Sequence, residues 1–187
     1  MNIQKLLFAT QFDDLWFDAL QSLFGLKEIA LNHVVFLNVI EREKVAMRRG
    51  VGYRKTEEIK LREMANIRFI DWAENLFEEG MEVGVYIVVG SLVQHIISAA
   101  EKEDVDLIVI GKPRQSKLEK FFKGSDITEI VKRVNTPILV YKYLSQDGRK
   151  AEEPFTRPLL AVNFAPSSLK SIEFLISIRK IVKKVDV

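Results

Sequence analysis

The chain has 187 residues, of which 48% are hydrophobic and 29% charged, with a formal net charge of +2. That length suits one domain with something extra, the apolar share can build one sizeable core, and the near-balanced charge argues against a disordered chain or a dedicated nucleic-acid binder. There is no cysteine, which excludes a disulfide framework and thiol catalysis and predicts a reducing, cytoplasmic setting. No apolar run approaches the roughly 18 residues of a membrane span, and Met1 to Lys5 lacks the charged-then-apolar form of a signal peptide.

In chain order, Lys5 to Thr10 (KLLFAT) predicts a first buried strand. A loop follows in which Asp13 or Asp14 is placed to cap a helix, whose stripe is Trp16, Ala19, Leu20, Leu23 and Phe24. His33 to Ile40 (HVVFLNVI) predicts a second strand, and Glu41 to Tyr53, with Arg42, Lys44, Arg48 and Arg49, a basic connecting loop. A long helix is expected from about Thr56 to Phe77, with Leu61, Ala65, Phe69, Trp72 and Leu76 inward and Gly80 as its C′ residue. Glu82 to Val89 is the third strand, ending at Gly90. Ser91 and Gln94 have capping-box spacing, and Val93, Ile96, Ile97 and Ala100 form the next stripe.

Asp106 to Gly111 is continuously apolar and β-branched until its glycine, as a strand buried on both faces reads. After Gly124-Ser125, residues Ile127, Ile130, Val131 and Val134 make a helical stripe, Pro137 interrupts, and Ile138 to Tyr141 is a fifth strand. The alternation β-α-β-α-β-α-β-α-β predicts a parallel sheet with helices on both faces. Gly111 then lies at the carboxyl edge of the sheet and Gly124-Ser125 at a helix N-terminus. Such a pair can cradle an anion, or be no more than a turn and a cap.

Other chemistry finds no support. Asp13-Asp14 resemble the acidic pair of a phosphorylated receiver domain, but strand three ends Val88-Val89-Gly90 where that fold needs an acceptor aspartate. His33 and His95 have no metal-ligand spacing. There is no P-loop or Gly-x-Gly-x-x-Gly motif, and no serine or threonine has a visible base partner, so no enzyme activity is expected.

The stretch from Gly111 resembles the carboxyl-terminal half of a universal stress protein domain. That family carries Gly-x2-Gly-x9-Gly-Ser/Thr here; this chain has Gly111, two residues, Arg114, nine residues, then Gly124-Ser125, with Thr136-Pro137 before the last strand. The resemblance covers Lys5 to Lys142. It implies a Rossmann-like, adenine nucleotide alpha hydrolase-like fold of strand order 3-2-1-4-5, with a ligand beyond strands one and four. It implies ATP or another adenine nucleotide, with or without Mg. Val39 would offer its backbone to the adenine, Ala9 and Gln11 would line the adenosine, and Gly111, Arg114, Ser116, Gly124, Ser125 and Asp126 would surround the phosphates. Three departures matter, one being Pro113, which removes an N–H that could have donated to a phosphate. Gln11 stands where binding members have aspartate, and Arg114 replaces a glycine, exchanging a close backbone approach for a fork-shaped cation. The implied function is a stress-response or signalling module that binds nucleotide. The alternative is an interaction module of the same fold that binds none and regulates a partner protein. The family commonly forms homodimers through the last strand, here Ile138 to Lys142.

Beyond residues 1–144, the polar stretch 145–156 predicts a linker. Residues 157–187 repeat the amino terminus at a constant offset: Leu7-Phe8-Ala9-Thr10-Gln11-Phe12 answers to Leu159-Leu160-Ala161-Val162-Asn163-Phe164, Leu20 to Ile172, and Leu23 to Leu175. This predicts one strand and one helix of a second, tandem domain. A lone strand-helix unit cannot bury its own apolar face, so the tail is expected to dock on the first domain or on a partner chain.

Overall fold

A computed structural model describes residues 2–12, 16–46, 52–111, 124–141, 153–163 and 166–187. Strands β1 (Lys5–Ala9), β2 (His33–Glu41), β3 (Glu82–Gly90), β4 (Leu107–Gly111) and β5 (Ile138–Tyr141) form one sheet in the order β3-β2-β1-β4-β5. Every neighbouring pair is parallel, as the apolar runs and the family resemblance predict. The central strands carry apolar side chains on both faces because both faces are covered.

On one face, Leu6, Phe8, Val34 and Phe36 pack with α1 (Phe17–Gln21) and α3 (Lys55–Glu78). Ala65, Phe69, Trp72 and Leu76 of α3 recur at helical spacing and are buried. Phe36 stacks on Phe69 with ring centroids 4.9 Å apart, and Trp72 meets Phe8, Phe12, Phe17 and Phe36. Each such pair contributes about 0.5–1.5 kcal/mol beyond its area. On the other face, Leu7, Ala9, Val35, Leu37 and Val39 pack with α4 (Leu92–Glu103) and with Ile130 of α5 (Gly124–Arg133). Gly80, at φ 74°, ends α3 in the left-handed conformation that glycine adopts without penalty.

Four local expectations are corrected. The expected loop after β2 contains a helical turn, α2 (Arg42–Val45), and Ala46 pairs antiparallel with Tyr53. Four residues are too few to show a period, yet Val45 is buried and anchors the turn. The first helix is short and passes into a 3₁₀ helix at Phe24–Ile29 containing Gly25. Its N-cap is Trp16, half exposed, whereas Asp13 and Asp14 lie outside the described residues. Ser91 caps α4 by position only, since its hydroxyl makes no cap hydrogen bond. Val131 is exposed, so Ile130 alone is fully buried on the α5 stripe.

The tail docks. α6 (Pro166–Ser177) and the turn after it bring Phe174, Leu175 and the fully buried Ile178 onto the cluster around Leu23, Leu26 and Leu107, where Phe155 of the preceding segment also packs. The strand expected in the tail is not formed among the described residues: Leu159 makes a single isolated parallel bridge with Asp186.

Candidate functional site

β2 outruns its neighbour. Ala9, the last residue of β1, pairs with Leu37, while β2 continues to Glu41. Beyond β1 the edge of β2 therefore opens into the crevice where the strand order reverses. Leu37 O accepts the Thr10 N–H at 3.0 Å and Val39 O accepts from Gln11 Nε2 at 2.9 Å. Both carbonyls thus point to the β1 side, and the Val39 N–H shares that edge.

The loop after β1 is stitched to β2 by these bonds and by Asn38 Nδ2, which donates to Thr10 O at 2.9 Å. Phe12 sits at φ 67°, costing about 1–2 kcal/mol for a residue with a side chain. Its N–H donates to Thr10 Oγ1 at 2.8 Å and its ring packs on Phe69 and Trp72, which offsets that strain. The turn throws the Gln11 side chain back across the sheet edge, where it is only 9% exposed.

The other expected residues divide. Ala9 is buried beneath the crevice beside Val39. Gly111 closes β4, paired with Tyr141, one position past the Ala9–Ile110 pair. Gly124 opens α5, and Asp126 lies in its first turn. Arg114, Ser116 and the Ser125 side chain lie outside the described residues. The structure therefore brings Ala9, Gln11, Val39 and Gly111 to one sheet edge, and the charge on Asp126 acts on the end of β2.

Sequence reasoning missed Glu41. Its side chain shares the Val39 face, and its Oε1 is buried without a hydrogen-bond partner among the described residues. Burial raises its pKa above the ordinary carboxylate value, helped by the charges of Glu43 and Asp126 and opposed by Lys44. A second cluster fixes the start of α3. Glu58 accepts from Tyr53 Oη at 2.6 Å and Arg62 Nε at 2.7 Å and pairs with Lys55. These bonds, Tyr53 first, pull its pKa down to about 2. Among the described residues no group of three or more His, Asp or Glu could hold a metal, and no helix is long and apolar enough to cross a membrane.

Sequence comparison agrees with this topology: the Universal stress protein family model matches residues 2–142. The chain belongs to the universal stress protein family. Among its relatives is the universal stress protein MJ0577 of Methanocaldococcus jannaschii, 29% identical in an alignment 153 residues long that covers 74% of this chain and 94% of that protein. The solved structure of MJ0577 superposes with a TM-score of 0.61 at 26% identity, covering 78% of this chain and all of that one. A universal stress protein structure from Archaeoglobus fulgidus covers 98% of this chain and 64% of its own, with a TM-score of 0.75 at 20% identity. That likeness extends through the tail and concerns the fold.

In this universal stress protein the polar residue inside strand two, Asn38, was a legible hint, since an amide amid HVVFLNVI needs a partner. Glu41 offered no such hint, because a carboxylate at a strand end reads as solvated.

Proposed function

We propose that this universal stress protein binds an adenine nucleotide, ATP or a shorter relative, in the crevice beyond β1 and β4. It would act there as a stress-response or signalling module without strong catalytic activity. The observation that supports this is the bond from Gln11 Nε2 to Val39 O. A carboxamide N–H occupies the acceptor that an adenine amino group would use, so the sheet edge already has the right polarity and spacing for such a donor. Binding exchanges one N–H···O bond for another and requires Gln11 to swing out. Gly111 and the start of α5 bound the side on which phosphates would lie, and the basic residues Lys112, Arg114, Lys117, Lys120 and Lys123 connect them in sequence.

The test is thermal unfolding with ATP, ADP and AMP, each with and without Mg, and mass spectrometry of the purified protein for co-bound nucleotide. At about 100 times Kd a ligand adds roughly 2.7 kcal/mol of stability. The absence of any shift and of any co-bound nucleotide would defeat the proposal.

A second reading has its own support. Gln11 already satisfies Val39 O, and Glu41 and Asp126 put negative charge near the place a phosphate would approach. On this reading the chain is an interaction module that binds no nucleotide and regulates a partner protein. In either case we propose a homodimer through the last strand, Ile138 to Lys142, because β5 has one neighbour in the sheet and Val140 is 38% exposed. We further propose residues 157–187 as the first strand and helix of a second domain joined by the linker 145–156, and a cytoplasmic setting on the absence of cysteine.

A further inference from the structure

Behind Gln11, on the α3 side of the sheet, lies a cavity that shares Gln11 with the crevice but is otherwise not used by the nucleotide reading. Its volume is about 180 Å³, below the roughly 300 Å³ at which drug-sized pockets begin. Strand alternation separates it from the crevice: Val39 turns its side chain toward α4, whereas Asn38 and Ile40 line the cavity. Leu61, Met64, Ala65 and Arg68 form the opposite wall from one stripe of α3.

Among the described residues, the ionisable groups lining this cavity are Arg68 and Lys44, both cationic. Arg68 is held over the faces of Phe12 and Trp16, its guanidinium carbon 4.8 and 5.6 Å from the ring centroids. Stacking fixes the plane of the guanidinium while leaving its N–H edge available. Among the described residues none of the ion pairs involves Arg68. Lys44 also lies in the field of Glu41, so Arg68 is the stronger anchor. The amides of Gln11 and Asn38 add polar atoms at the inner end, and the remaining wall is apolar.

The geometry points to a binding site for a small amphipathic carboxylic acid. Its carboxylate lies against Arg68 and Lys44, and a body no larger than one six-membered ring rests on Ile40, Leu61 and Met64. A bare inorganic anion would leave the apolar wall uncovered, and a neutral ring would leave Arg68 unpaired. The two sites share Gln11, but neither Arg68 nor Met64 belongs to the crevice, so variants at these two residues test the inference separately from the nucleotide proposal.

The test uses the full chain, isotopically labelled, titrated at neutral pH with benzoate, with inorganic phosphate and with benzyl alcohol. Benzoate is expected to give saturable shifts centred on the Asn38 and Gln11 side-chain amides, with a Kd of about 1 mM, the range open to so small a ligand. Arg68→Gln should weaken it about tenfold or more, and Arg68→Lys should recover part of the loss. Met64→Trp, which fills the cavity and leaves both cations, should abolish binding while the far-ultraviolet circular dichroism stays unchanged. Shifts that never saturate, a phosphate affinity equal to that of benzoate, or benzoate binding untouched by Arg68→Gln would each overturn the proposal. Loss of nucleotide binding with retained benzoate binding would defeat the crevice reading alone.

Discussion

Replacing Gln11 by alanine separates the two readings of the crevice. In the resting protein the Gln11 amide donates to Val39 O at 2.9 Å and is nearly buried. A neutral hydrogen bond of this kind contributes about 0.5–1.5 kcal/mol net. Its loss leaves Val39 O facing a crevice that water can enter, so the cost stays near that figure and does not reach the full penalty for an orphaned acceptor. We expect Gln11→Ala to lose about 1 kcal/mol of stability. The same number enters nucleotide binding with the opposite sign. A nucleotide that must displace Gln11 gives up that bond before it makes its own, so removing the side chain should tighten binding by about fivefold, the equivalent of 1 kcal/mol. Isothermal titration of wild type and variant with ATP, together with a denaturant melt of each, reads both quantities. Lower stability with tighter binding identifies Gln11 as a displaceable plug. Lower stability with weaker binding would refute the plug and make Gln11 a ligand contact. If neither protein binds any adenine nucleotide, the crevice is closed by design and the interaction reading remains.

Three further outcomes follow from the same geometry. Ile178 is fully buried at the junction of tail and first domain, so Ile178→Ala should cost about 2–5 kcal/mol. It should also speed proteolytic release of the tail, and a melt within error of wild type would show that the docking contributes nothing. Glu58, held down to about 2 by Tyr53 and Arg62, stabilises the fold above the ordinary carboxylate range near 4.5. That contribution is lost as pH falls toward 2, so Glu58→Gln should flatten the acid limb of the stability curve between those values. Glu41 has the opposite sign. Its pKa is raised by burial, so the wild type loses stability as pH rises through the shifted value. Glu41→Gln should remove that slope and be the more stable protein at neutral pH, and an unchanged slope would show that the carboxylate is solvated.

The sheet was legible because strands covered on both faces, β1, β2 and β4, have no polar alternation, and these with two further apolar runs, separated by helical stripes, admit few arrangements. The helices were legible where they are long: Ala65, Phe69, Trp72 and Leu76 declare α3, whereas the four residues of α2 cannot declare a period. The site was legible by position and not by conformation. Ala9, Gln11, Val39 and Gly111 follow from knowing where strands end, but nothing in the residue order says that Gln11 turns back onto Val39. That depends on the left-handed backbone at Phe12 and the aromatic cluster that fixes it. Likewise the unpaired Glu41 Oε1 arises from what packs over the end of β2, which no local pattern encodes.

The tail makes the same point through a repeat read against its own copy. Leu7 and Leu159 hold matching places, yet Leu7 is completely buried and Leu159 is 77% exposed. Leu7 lies under α4 and α5, and among the described residues no such layer covers Leu159. The helical side of the repeat fares differently. Ile178, matching Leu26 by the same offset, is as buried as its counterpart because it packs on the first domain. That placement follows from the strand order. α1 and α3 cover β1 to β3 on their face and Ser22 at the end of α1 hydrogen-bonds Tyr141, while Phe174 and Ile178 stand opposite Leu107 and Leu139 of β4 and β5. Residues 157–187 thus pack on the first domain along their helical side, whereas Leu159 stays exposed. Deleting residues 166–187 would bare Leu107 and Leu139.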